Sequence, residues 1–152
     1  MRRLERGSSS TDAPPASVQH TPVALTQWIS ADYHRTFQIV ARRPLLSPAD
    51  REGMPDVAIV DEEFARRLFP GLPFTALIGH RVQLAGEGCR AREIVGVVRH
   101  IRHGALDELP SAEVYAPYWQ LDPTWQLEIG RAMDVATRSV EDPSTVVVAV
   151  RR

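Results

Sequence analysis

The run that most restricts how this chain can fold lies in REIVGVVRHIRHGALDELPSAEVYAPYW, residues 92–119. Ile94 to Val98 is continuously apolar, which reads as a buried strand rather than a surface one. The strand then breaks into Arg99, His100, Arg102 and His103, turns at Gly104 and ends in an aromatic run. Two histidines, two arginines and several carboxylates beside a buried strand fit an active site, a metal site, a nucleic-acid patch, or only the solvated end of a strand.

Other short apolar runs surround it. Val23 to Ile29, Val57 to Val60, Leu77 to Leu84 (around Ile78, Val82 and Leu84) and Glu113 to Tyr118 all read as strands. Gly86-Glu87-Gly88 is a turn that returns the chain into Arg92 to Val98. Gln126 to Ile129 and the alternating Ala132 to Arg138 suggest two more strands. The helical signals are brief. Ser30 is an N-cap for a helix through Phe37, with Asp32 in its first turn. Ser47-Pro48-Ala49-Asp50 has the order for one helical turn, ended by Gly53. Asp61 caps a helix Glu62 to Leu68, stopped by Pro70-Gly71. Ile39 to Leu46 is extended because Pro44 excludes a helix interior. Asp142-Pro143-Ser144 begins a terminal helix that runs to Arg152 and presents Val146, Val147 and Val150. The fold class predicted is α+β, a mixed or antiparallel sheet with short helices. Residues 1–22, rich in Ser, Pro and Arg, predict a disordered leader, and residues 23–152 one domain.

A hydrophobic fraction of 43% supports a real core, and a net charge of −1 gives no long-range attraction for nucleic acid or an anionic membrane surface. No run approaches the roughly 18 apolar residues of a membrane span, and no apolar segment follows the N-terminal arginines as a secretory signal requires. All 18 basic residues are arginine, and lysine and asparagine are absent. A GC-rich genome explains that bias without phosphate binding, although the arginine fork suits phosphate. The single cysteine, Cys89, excludes an internal disulfide.

The candidate sites each have an ordinary structural explanation. His100 and His103 are three apart, so on a strand they face opposite sides and cannot share a metal. His80, Cys89 and Glu93 lack ligand spacing and would have to be brought in by tertiary folding. Arginines beside Cys89 favour a thiolate, but no oriented base is readable. Asp61, Glu62 and Glu63 follow a strand, where catalytic acids sit, yet a helix dipole alone accounts for acids in a first turn. Arg90, Arg92, Arg99 and Arg102, near Tyr115, Tyr118, Trp119 and Trp125, suggest a basic stacking face. Glu87, Glu93, Asp107 and Glu108 are interleaved among them, which is the pattern of an ordinary solvated surface. Gly86-Glu87-Gly88 lacks the third glycine and following helix of a phosphate cradle. From the residues alone, the chain is an α+β domain without a catalytic set, metal site, cofactor site or nucleic-acid partner.

With the segments in place, the chain resembles the extracytoplasmic core domain of MacB-type, FtsX-like ABC transporter permeases. Ser30-Ala31-Asp32-Tyr33-His34-Arg35-Thr36-Phe37 resembles that family's S-P-D-Y-F-R-T-L, and Ser47 to Gly53 its T-x-A-D-R-E-G. Val57 to Gly71 is similar to V-x-I-V-N-E-A-F-A-R-R-x-F-P-G, and Ile78 to Val82 to I-G-K-R-V. Glu93 to Pro110 with Glu113 to Pro117 resembles E-I-V-G-V-V-x-D-V-R-H-x-G-L-D-E-x-P-x-P-E-V-Y-x-P. The likeness spans residues 28 to 152. His34 replaces an aromatic, Gln38 stands where glycine is usual, the Leu72–Leu77 loop is longer, and Arg99-His100 replaces a Gly-Asp-like pair. The flanking transmembrane helices and the transporter remainder are absent, so the resemblance implies a truncated domain.

The resemblance implies a non-enzymatic domain at the extracytoplasmic face of a bacterial cell membrane. Its partners would be permease helices and a cytoplasmic ATPase, with a homodimer also open, and it would couple transporter movement to substrate or partner handling. The Val98–His103 segment would then be a strand end running into a surface turn. Two alternatives stay open: a stand-alone soluble binding domain that lost its membrane helices, and a small metal-dependent hydrolase centred on His100, His103 and Cys89.

Overall fold

The computed structural model describes residues 5–10, 23–39, 46–84, 90–101, 110–140 and 142, with residues 5–10 and 23 described by backbone alone. In chain order the elements are β1 (Glu5–Ser10), β2 (Val23–Ile29), α1 (Tyr33–Thr36), β3 (Val57–Asp61), α2 (Glu62–Leu68), β4 (Arg81–Leu84), β5 (Ala91–Val98), β6 (Ala112–Pro117) and α3 (Pro123–Gly130). Single turns of 3₁₀ helix occupy Phe74–Leu77 and Tyr118–Gln120. The strands follow the order β1-β2-β6-β3-β5-β4 and close into a barrel. β2 with β6 and β3 with β5 are parallel, and the remaining neighbours are antiparallel. The chain is therefore α+β with a mixed sheet, as its runs predict.

β3 explains why the chain folds in layers. All five of its residues are buried, so neither face meets water. Ala58 and Val60 join Ala24, Val82, Ile94, Ala112, Val114 and Ala116 in one core cluster. These side chains are mostly small because a barrel of six strands has less room inside than one of eight, whose side chains just fill it. Leu84 and Val97 from β4 and β5, with Phe64, Ala65, Phe69 and Leu77 from α2 and the turns after it, complete the same cluster. Val57 and Ile59 point the other way into a second cluster with Ile29, Leu46, Val98 and Tyr115, against which Tyr33 and Ile39 pack. The Asp61 carboxylate accepts the Phe64 amide at 2.7 Å, the N-cap bond expected of it. Glu62 and Glu63 pair with Arg66 and Arg67 along the outer side of α2.

Several expectations are corrected. Residues 5–10, assigned to a disordered leader, form β1, which pairs with β2 and β4 and closes the barrel. Strand pairing uses backbone groups, so a Ser-rich segment can join a sheet that supplies both neighbours. The rest of the expected leader lies outside the described residues. The strand expected from Leu77 starts only at Arg81, because a 3₁₀ turn and Gly79, at φ +93°, occupy the first half. Gln126 to Ile129 is helical, within α3: Asp122 accepts the Thr124 amide at 2.9 Å and Pro123 sits at the first helical position. Ala132 to Arg138 is irregular and exposed. Its alternation has the period of a strand, but no strand among the described residues pairs with it.

The expected helix through Phe37 is reduced to α1, and the turn at residues 47–50 stays a turn. It keeps its capping bonds, Asp50 accepting the Ser47 amide at 2.6 Å and the Ser47 hydroxyl accepting the Ala49 amide at 3.1 Å. Gln38 adopts φ +54°, the left-handed region that favours glycine. The expected extended stretch at 40–45, the turn at Gly86-Glu87-Gly88, Cys89, the segment with Arg102 and His103, and the terminal helix at 143–152 lie outside the described residues. Among the described residues no helix is long and apolar enough to cross a membrane.

Candidate functional site

The titratable groups that sequence reasoning left scattered converge on the outer face of β3 and β6. Parallel pairing places Asp61 beside Val98, so β3 and β5 end together and His100 lies over the end of β3. The Asp61 side chain is fully buried. Its Oδ1 accepts the amides of Phe64 at 2.7 Å and Glu113 at 3.0 Å, and its Oδ2 lies 2.5 Å from Nδ1 of His100. One carboxylate thus joins the ends of β3 and β5 to the starts of α2 and β6. Burial pushes its pKa above the usual range, against the pull of the Glu113 and Phe64 amides and of His100.

Next to this joint lies a second buried group. The Tyr115 hydroxyl donates to the buried Glu113 carboxylate. Burial, and then the charge of Glu113, hold the Tyr115 phenol well above its ordinary pKa, and the same two causes raise Tyr33. His34, on α1, is wholly buried, its ring 4.9 Å from that of Tyr115 and 5.4 Å from that of Tyr33. Neither of its nitrogens has a hydrogen-bond partner among the described residues. Burial lowers its pKa to about 4, so at neutral pH the imidazole is uncharged.

A third cluster sits where β3 and β5 begin. Arg92, expected on a basic face, is buried because it shares the inward side of β5 with Ile94. Its guanidinium donates to the Gln120 side-chain oxygen at 2.8 Å, the Gln120 carbonyl at 3.3 Å and the Val57 carbonyl at 3.3 Å. It lies 3.7 Å from Asp56 and over the Trp28 ring at 5.0 Å. Gln120 also accepts the Val57 amide at 3.0 Å and donates to the Pro55 carbonyl at 2.8 Å. Arg90 pairs with Asp56 at 3.2 Å on the outside. The expected stacking face is therefore divided: Arg92 and Tyr115 are inside, while Arg90, Arg99 and Trp119 are exposed.

These arrangements hold strands together. The Phe64 and Glu113 amides and the His100 ring take up three of the roughly four lone-pair sites of the Asp61 carboxylate, which ties it to its neighbours. The second ring nitrogen of His100 is enclosed and has no partner, nucleophilic or otherwise, among the described residues. Among the described residues no three His, Cys, Asp or Glu side chains come together to hold a metal. The capping by Asp61 was legible in its position before a helix. Its bond to His100 was not, because it depends on which strands become neighbours.

Fold and site together define a small mixed-barrel domain whose buried polar groups act as joints. The chain belongs to the MacB-like periplasmic core domain family, which matches residues 5–152. Several solved structures share the fold, among them these three. The periplasmic region of MacB from Actinobacillus actinomycetemcomitans is 18% identical with a TM-score of 0.57, over 96% of this chain and 61% of that one. A domain of a putative permease from Porphyromonas gingivalis is 14% identical with a TM-score of 0.54, over 98% and 65%. The extracellular domain of the noncanonic ABC-type transporter YknZ from Gram-positive bacteria is 12% identical with a TM-score of 0.52, over 94% and 67%. The chain thus spans about two thirds or less of the length of the structures it matches. No curated protein matches the sequence.

Proposed function

We propose that this chain is a non-catalytic, extracytoplasmic domain of an ABC transporter permease, which passes transporter movement to a substrate or partner outside the membrane. The observation that carries the reading is the family match over residues 5–152. The described buried polar groups support it, since the Asp61 carboxylate ties β3 to β6, Arg92 ties β5 to the Val57 carbonyl of β3, and the Glu113 carboxylate is taken up by the Tyr115 hydroxyl. ATP hydrolysis would take place on a separate cytoplasmic subunit or domain, with permease helices as the mechanical link. A barrel with its strand ends tied by buried bonds is suited to moving as a rigid unit.

The test is made in the producing bacterium, with a tagged chromosomal copy. Protease added to intact spheroplasts should degrade the protein, and detergent-solubilised membranes should yield it together with a permease and an ATPase. Recovery from the cytosol would overturn the location. Recovery outside the membrane with no permease attached would favour a stand-alone binding domain.

A further inference from the structure

Beside the 3₁₀ turn that follows β6, the surface carries a cleft of about 300 Å³ lined by Pro48, Arg51, Glu52, Trp119 and Gln126. Three elements build it: the turn before β3, the Tyr118–Gln120 turn and α3. Each is braced from within the protein. The turn is held by the bonds between Ser47 and Asp50. The Tyr118 hydroxyl donates to the Gln126 carbonyl at 2.6 Å, and a Cβ on Gly130 would lie 2.8 Å from that hydroxyl, so glycine lets α3 sit against the ring. Tyr118 in turn supports the Trp119 ring edge-on at 5.2 Å. Trp119 itself is 55% exposed.

The polar lining is unspent. The Gln126 amide nitrogen donates to the Leu121 carbonyl at 2.7 Å, which leaves its side-chain oxygen as an acceptor. Among the described residues neither the Arg51 guanidinium nor the Glu52 carboxylate has a hydrogen-bond or ion-pair partner. The cleft thus offers a braced indole face, one donor-only group and two acceptors.

We infer that this cleft binds a small neutral polyhydroxylated ring, a saccharide unit stacked on Trp119. A sugar ring has an apolar C–H face that suits an electron-rich indole, and rim hydroxyls that both donate and accept. Arg51 answers the accepting lone pairs, while Glu52 and Gln126 answer the O–H groups. The opposite charges of Arg51 and Glu52 cancel, and both side chains are exposed, so charge alone gives a ligand little there. That disfavours an anion or a cation, and leaves an amino-acid zwitterion as the competing chemistry that the test must exclude. The size sits at the lower end of small-molecule sites, which run from roughly 300 to 1,000 Å³. The inference goes beyond the coupling role and does not depend on it.

The experiment uses the purified full chain and two NMR readouts: the indole N–H resonances of Trp28, Trp119 and Trp125, and saturation transfer to ligand protons. Maltose, cellobiose and chitobiose are the probes, with glycine and inorganic phosphate as competing chemistries. At least one sugar should move the Trp119 resonance with a Kd on the order of 1–10 mM. Trp28 and Trp125 should stay in place, reporting an intact fold. Trp119→Ala should weaken saturation transfer roughly tenfold, and Arg51→Ala or Glu52→Gln roughly threefold. A Trp119 resonance unmoved by every sugar at about 50 mM, far above the expected Kd, overturns the inference. So does a response to phosphate or glycine alone, or full sugar binding by Trp119→Ala. Sugar binding by a chain recovered from the cytosol would sink the transporter reading and leave this one standing.

Discussion

His34→Phe should make this protein both more stable and less sensitive to acid. His34 is wholly buried between Tyr33 and Tyr115, and neither of its ring nitrogens has a partner among the described residues. A buried polar group left unmatched costs about 1–3 kcal/mol. Phenylalanine has nearly the same shape and no polar atom, so at pH 7 the variant should gain about that much. The pH dependence follows from burial lowering the histidine pKa from 6.5 to about 4. Because the folded pKa lies below the unfolded one, the unfolded chain binds the extra proton between those two values. His34 therefore leaves stability intact above pH 6.5 and erodes it as pH falls towards 4. At about 1.36 kcal/mol per pH unit, the loss is roughly 3 kcal/mol at most. Urea unfolding of both proteins at pH 7.5, 6.0, 5.0 and 4.5 measures it. Asp61 and the other acids titrate in both proteins, so the difference between the curves isolates His34. The gap should widen by about 2–3 kcal/mol across that range. Parallel curves, or a variant less stable at pH 7.5, would refute the reasoning.

Six further substitutions probe the joints, the core and the backbone, all read by the same unfolding assay. Asp61→Ala should cost about 3–5 kcal/mol, because it removes a helix cap and leaves the Phe64 and Glu113 amides unmatched; Asp61→Asn, which keeps one acceptor oxygen, should cost about half as much. Arg92→Ala should cost about 3–5 kcal/mol, since it strips the Gln120, Val57 and Trp28 contacts from a buried cluster. Phe64→Ala should cost about 3–5 kcal/mol in the core, while Arg67→Ala on the exposed side of α2 should cost less than about 1 kcal/mol. Gln38→Gly should stabilise by about 0.5–1 kcal/mol, because relief of the left-handed strain at φ +54° exceeds glycine's extra unfolded-state entropy; a loss there would mean that the Gln38 side chain makes a compensating contact.

What could be read from the sequence was local. β2, β3, β5 and β6 announce themselves by short apolar runs of strand residues, and α2 by Asp61 followed by two acids. Periodicity and caps act over a few neighbouring residues, so they survive without knowledge of the fold. The order of five family-like segments also carried the family, because spacing along the chain needs no three-dimensional information. Where two local signals competed, the weaker one could mislead: Gln126 to Ile129 resembles a strand, but Asp122-Pro123 starts a helix there.

Only the tertiary structure could decide the remainder. β1 has no apolar pattern, and it exists because β2 and β4 offer it backbone partners on both sides. Ala132 to Arg138 has the alternation of a strand and is irregular, with no such partners among the described residues. His100 meets Asp61 because β3 and β5 run parallel and end together, 39 residues apart in the chain. Arg92 is charged by identity and buried by register, with a residue 28 positions away supplying its acceptor. A side chain's type and its neighbours' periodicity are properties of the chain. The partner that satisfies it is a property of strand order, which is set by the balance of many distant contacts.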